Sequence, residues 1–143
     1  MKYRKGVFLV VYKKEHEKIN YLILKRKLHW KGWEFPKGGR AKGETIKQTI
    51  LRELKEETAL KPLKLKNHKI AGKYPYNQKL DDRIETGQTF KLYSVEVKKG
   101  KIKIDKREHS AYKWVLFNEA IKKLTWANQK KCLGVVEKSL NKR

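Results

Sequence analysis

Four of the fifteen acidic residues, Glu44, Glu53, Glu56 and Glu57, fall within 14 residues of a chain that carries 38 lysines and arginines. Scattered placement puts one or two there. The segment that holds them, Glu44 to Leu60 (ETIKQTILRELKEETAL), contains no glycine or proline before Pro62 and is rich in strong helix formers, so it predicts a helix. It follows Leu28 to Gly43 (LHWKGWEFPKGGRAKG), whose glycines, proline and bulky aromatics predict an ordered loop.

At about 100° per helical residue, Glu53, Glu56 and Glu57 share an arc of roughly 100°, with Arg52 beside Glu56. Like charges at these spacings repel by a few tenths of a kcal/mol each. A divalent cation between them removes that repulsion, and oxygen-only ligands suit magnesium or manganese better than zinc. The same wheel places Ile46, Ile50, Leu51 and Leu54 on an adjoining apolar stripe, with Glu57 at its edge. An amphipathic, solvated helix whose acids pair with Lys47, Lys55 or Arg52 explains the cluster equally well when the helix is read alone.

The remaining segments predict strands at Gly6 to Tyr12 and Ile19 to Lys27, joined as a hairpin. Further strands are predicted at Lys64 to Tyr74, Thr89 to Val97, Lys101 to Asp105 and Tyr112 to Val115. Phe117 to Leu124 and Ala127 to Leu140 predict two closing helices. The expected fold class is α+β, a mixed sheet flanked by helices, in one domain spanning residues 1–143. A hydrophobic fraction of 38% argues against disorder. No run approaches the roughly 20 apolar residues of a membrane span, and the short apolar run after the basic start does not make a signal peptide. A cytoplasmic protein with no membrane partner is expected. One cysteine, Cys132, allows no internal disulfide and reads as an inert thiol. The formal charge of +23 makes nucleotides, nucleic acid and other polyanions plausible partners, although 31 of the basic residues are lysine, a bias that genome composition or habitat also produces.

Read outward from the acids, Gly38-Gly-Arg-Ala-Lys-Gly-Glu44, seven residues, and then Arg52-Glu53-Leu54-Lys55-Glu56-Glu57-Thr58-Ala59-Leu60 resemble the Nudix box, GX5EX7REUXEEXGU, where U is aliphatic. All fixed positions match except the last glycine, which is Ala59. The departure touches helix termination, where glycine adopts the left-handed conformation at little cost, and leaves the acids intact. The resemblance implies an α/β/α Nudix sandwich and a metal-dependent hydrolase of nucleoside diphosphates linked to a further group. It implies Mg2+ or Mn2+ held by Glu53, Glu56 and Glu57 with the Gly38 carbonyl, Arg52 as a brace, and Glu44 as support. It implies Glu53 or Glu57 as the proton acceptor, unless a later loop supplies one. Glu108 is the first choice for that later carboxylate and metal ligand, Glu85 the second; His109 beside Glu108 offers a polar contact, although a lone histidine more often reads as a surface residue.

Trp33-Glu-Phe-Pro-Lys-Gly38 and the segment from Glu108 to Leu133 are similar to the asymmetrical diadenosine tetraphosphate hydrolase branch of that family. That similarity implies Lys37 on phosphate and Tyr74 and Tyr76 sandwiching a base, helped by Lys73 or Lys79. A dinucleoside polyphosphate is therefore the expected substrate. The same WEFPKGG run is also similar to enzymes acting on the 5′ end of RNA, which suits the basic surface. A non-catalytic basic RNA-binding module is the third reading; it has no use for an intact glutamate array.

Overall fold

The computed structural model describes residues 2–76, 78 and 80–142. Among them, β1 (Tyr3–Glu15) and β2 (Lys18–Arg26) form the expected antiparallel hairpin, with Tyr12 opposite Tyr21. Its two-residue turn puts His16 at φ 50° and Glu17 at φ 66°, the left-handed pair that matches strand twist. Two short strands, β3 (Gly32–Glu34) and β4 (Lys37–Gly39), stand inside the segment expected to be loop. They are strands because neighbours offer them free edges: Glu34 pairs with Leu24 of β2, and Gly38 with Val7 of β1. The helix α1 (Ile46–Thr58) follows, then β5 (Pro62–Pro75), β6 (Gly87–Val97), β7 (His109–Val115), α2 (Phe117–Lys123) and α3 (Ala127–Leu140). The expected strand at Lys101 to Asp105 is not one; Ile102 is buried and the Lys103 amide donates to Thr58 O, which ties that stretch to the end of α1 instead of to a sheet edge.

The sheet is mixed, in the order β3-β2-β1-β6-β5, with β1 and β6 parallel, β4 added to β1 and β7 to β2. Val7 to Tyr12 is buried without interruption because each face of β1 is covered. Phe8, Val10 and Tyr12 join Phe90, Leu92, Leu133 and Val136 in the core beneath α3, while Val7, Leu9 and Val11 join Ile50, Leu54 and Val95 beneath α1. This is the α/β/α sandwich that the resemblance implies. At about 1.5 to 3 kcal/mol for each fully buried large aliphatic side chain, the first core fixes α3 and the second fixes α1 against the sheet. No helix among the described residues is long and apolar enough to cross a membrane.

One helical expectation is corrected. Leu51 is 40% exposed and outside the core, since the apolar stripe of α1 narrows to Ile46, Ile50 and Leu54. Thr45, not Glu44, caps the helix: its hydroxyl accepts from Gln48 N while Gln48 returns a bond to Thr45 N. At the other end Ala59 sits in the left-handed region at φ 60°, ψ 13°, with its N–H donated to Lys55 O. The backbone therefore takes the conformation glycine favours and carries a Cβ there. Ala59→Gly is expected to stabilise the protein by about 1 kcal/mol, read as a higher urea midpoint with an unchanged slope; a lower midpoint contradicts the strain.

Candidate active site

Arg52 organises the junction between loop and helix. Its Nε and Nη2 donate to the two oxygens of Glu44 at 2.7 and 2.9 Å, and Nη2 also donates to Gly39 O at 2.8 Å. Nη1 reaches Glu53 Oε1 at 2.9 Å and Glu56 Oε2 at 3.2 Å. Glu44 also accepts from the Ala41 amide and the Thr49 hydroxyl. These contacts, Arg52 first and the Ala41 amide next, hold the Glu44 carboxyl down at about 2. Glu44 thus stands outside the helix and clamps the loop through Arg52.

Beneath that clamp, Glu53 and Glu57 are buried, deeper than the helical wheel suggests. The Glu53 carboxylate packs directly on Gly38, where any Cβ overlaps it; here glycine is required by close approach. Burial raises the Glu53 carboxyl to about 7, aided by Glu56 and Glu108 and opposed by Arg52. Burial also raises Glu57 well above the carboxylate range, with Glu34, Glu108 and Glu53 adding to it. Glu56 is more exposed, and Glu108, just before β7, is part exposed. One ligand atom each from Glu57, Glu108 and His109 lie within 4.8 Å of one another, and Glu57 Oε2 has no hydrogen-bond partner among the described residues. Crowded carboxylates with an orphaned buried oxygen are a poor arrangement without a cation and a fitting one for a hard divalent ion.

The acids border a cavity of about 760 Å³. Tyr74, Tyr76 and Lys37 line it, as do Trp30, Trp126 and Arg83, which sequence reasoning missed. Trp30 and Trp126 meet edge to face at 5.1 Å, and Tyr74 and Tyr76 at 6.3 Å with an interplanar angle of 73°. The two tyrosines therefore form a corner, not the parallel slot expected for a sandwiched base. Lys37 Nζ lies 3.4 Å from Tyr74 Oη and 3.5 Å from Glu34 Oε1. Burial, the largest single influence, lowers the Lys37 pKa, but Glu34 and Tyr74 together outweigh it and the net direction is up. Lys73 rests over Tyr3, Glu85 does not line the cavity, and Lys79 lies outside the described residues.

His109 is not a surface residue. It is fully buried, as is Glu34, and its Nε2 is 2.7 Å from Glu34 Oε2, which Arg26 Nη1 also approaches at 3.3 Å. Burial tends to raise Glu34, yet Lys37, His109 and Arg26 together carry it below the ordinary value. The one local signal for this pair is the Glu34–Lys37 spacing; nothing near His109 in the chain announces Glu34. Cys132 is buried, and burial raises its thiol to about 11, in keeping with an inert role.

The sequence profile of the NUDIX domain matches residues 2–133. An RNA pyrophosphohydrolase of a Nitratiruptor species is 31% identical over 141 residues, covering 87% of this chain and 85% of that one. An RNA pyrophosphohydrolase of Hydrogenovibrio crunogenus is 38% identical over 60 residues, 42% of this chain and 34% of its own. Among solved structures, a C. elegans Ap4A hydrolase binary complex superposes with a TM-score of 0.76 at 25% identity, covering 96% of this chain and 97% of that one. The NUDIX domain of Shewanella oneidensis NrtR, complexed with ADP ribose, superposes at 0.79 with 16% identity, covering 99% and 90%; at that identity the likeness concerns the fold.

The buried acids make stability depend on pH in a definite direction. A carboxyl raised on folding favours the folded state below its unfolded value and loses that contribution as pH rises through its folded value. Without divalent metal, stability is therefore expected to fall between pH 4.5 and about 7, by on the order of 3 kcal/mol for Glu53. Glu44, lowered to about 2, acts in the opposite sense, and its contribution disappears as pH drops from 4.5 toward 2. Thermal melts in chelator across this range should show the decline above pH 4.5 flattened in Glu53→Gln; an identical profile in that variant refutes the assignment.

Proposed function

The chain belongs to the Nudix family and is a pyrophosphohydrolase of that family, and on this premise we propose that it cleaves a phosphoanhydride bond at the 5′ polyphosphate end of RNA. The observation that carries the hydrolytic reading is the pair of buried carboxylates, Glu53 and Glu57, set beside a cavity walled by aromatic and cationic side chains. Nudix hydrolases depend on divalent metals. Glu53, Glu56 and Glu57, with the Gly38 carbonyl and Glu108, would hold Mg2+ or Mn2+, which when bound offsets phosphate charge, polarises the bridging oxygen and lowers the pKa of water.

The other steps belong to side chains of this protein. Arg52 keeps Glu53 and Glu56 aimed and cannot itself contribute a proton, because its carboxylate partners hold it fully charged. Lys37 projects an ammonium toward the cavity and stays protonated beside Glu34, as a phosphate ligand must. Trp30, Trp126, Tyr74 and Tyr76 offer ring faces and edges for a base. The proton released by the attacking water goes to a carboxylate of this group. We assign it to Glu108 ahead of Glu53 or Glu57, since Glu108 borders the cavity and is the most accessible of the three.

Two features favour RNA: the curated relatives and a +23 charge, more than a dinucleotide requires. A second reading, hydrolysis of a dinucleoside polyphosphate such as diadenosine tetraphosphate, is favoured by the Ap4A hydrolase neighbour. We further read residues 1–143 as one Nudix domain working in the cytoplasm.

Glu56→Gln and Glu57→Gln are each expected to lower kcat at least about a hundredfold in Mg2+ with the fold intact; full activity in both rejects the metal site. Under identical Mg2+, 5′-triphosphorylated RNA should exceed diadenosine tetraphosphate and ADP-ribose in kcat/KM and lose that lead steeply as salt rises. Preference for the dinucleotide with shallow salt dependence selects the second reading.

A further inference from the structure

Behind the acids that face the cavity lies a second layer of polar groups with no evident purpose in packing. His109 opens β7 opposite Arg26, where the ladder with β2 shifts register, and its amide is held by Asp105 O at 2.9 Å. Its ring is wholly buried between two glutamates from different elements. Nε2 meets Glu34 Oε2 of β3 at 2.7 Å, and Nδ1 faces Glu57 Oε2 of α1 at 3.5 Å. Glu34 Oε2 also lies 3.3 Å from Arg26 Nη1, so the outer end of this chain is pinned by a guanidinium. At the inner end, Nδ1 and Glu57 Oε2 have no hydrogen-bond partner among the described residues. A buried imidazole with one edge anchored and the other directed at a metal-facing carboxylate is costly as core filler. It is what orients a ligating carboxylate.

We propose that His109 is a positioning residue for Glu57, anchored by Glu34 and fixing one oxygen of that carboxylate so that the group presents a constant direction to the cation. This rests on the metal-site reading above. Both flanking carboxylates accept only from an N–H, so this role requires the ring to donate from both nitrogens, Nε2–H to Glu34 at 2.7 Å and Nδ1–H toward Glu57 at 3.5 Å. His109 does not line the cavity, and although it shares Glu34 with Lys37, the two use different oxygens of that carboxylate, Oε2 and Oε1.

Two substitutions separate the edges of the ring. Asn carries its amide where Nδ1 stands and keeps a polar group against Glu57; Gln carries its amide where Nε2 stands and keeps only the contact with Glu34. Mn2+ binding to the full chain, followed by EPR titration, is expected to weaken about 10- to 100-fold in His109→Gln and much less in His109→Asn. At saturating Mn2+, kcat falls in His109→Gln while KM for 5′-triphosphorylated RNA holds. Wild-type Mn2+ affinity in folded His109→Gln, or equal losses in the two variants, overturns the proposal. So does a directly coordinated imidazole nitrogen in pulsed EPR of the wild-type Mn2+ complex, which makes His109 a ligand. If neither histidine variant folds, Glu34→Gln decides: weakened Mn2+ binding supports the anchor, and wild-type binding refutes it. Glu56→Gln is the control for the underlying reading. Loss of Mn2+ binding there with none in His109→Gln fails the positioning role alone, whereas a wild type that binds no Mn2+ fails the site itself.

Discussion

The guanidinium of Arg52 is the contact on which the site depends. It bonds both oxygens of Glu44, the carbonyl of Gly39, and one oxygen each of Glu53 and Glu56. A planar, permanently charged fork is suited to this, because it joins a loop, a helix and three carboxylates without titrating at any physiological pH. It also explains how three acids gather there: the charge they share at the loop–helix junction is partly answered by one cation from the chain. Gly38 completes the junction by leaving room for Glu53 where a side chain blocks it.

Arg52 does not reach Glu57, and that remainder gives the site its chemical character. Glu57 is raised by burial and by the glutamates around it, while Glu34, equally buried, is held ionised by Lys37, His109 and Arg26. Two carboxyls on either side of one imidazole are thus shifted in opposite directions. The difference comes from their neighbours, since burial is complete or nearly so for both.

Much of this was legible in residues close together in the chain. The spacing of Glu44, Arg52, Glu53, Glu56 and Glu57 described a loop, a helix and a shared face, and Ala59 pointed to the strained helix end that the backbone shows. What failed to appear there depends on neighbours far away. Gly32 to Glu34 and Lys37 to Gly39 become strands only because β1 and β2 offer edges, and Lys101 to Asp105 loses its strand to the end of α1. Leu51 looked buried on a helical wheel, which cannot know how wide the facing sheet is. Trp30 and Trp126 read as generic aromatics until the fold set them edge to face at the cavity.

By itself, the amino-acid order determined the helix and its acid pattern, because helical period is settled within a few turns of one element, and the match to the Nudix box carried the class of chemistry. The depth of Glu53 and Glu57, the aromatic wall, and the pairing of His109 with Glu34 across 75 positions were decided only by the tertiary structure. Burial and buried hydrogen bonds are properties of surfaces brought together, and no window along the chain contains both partners.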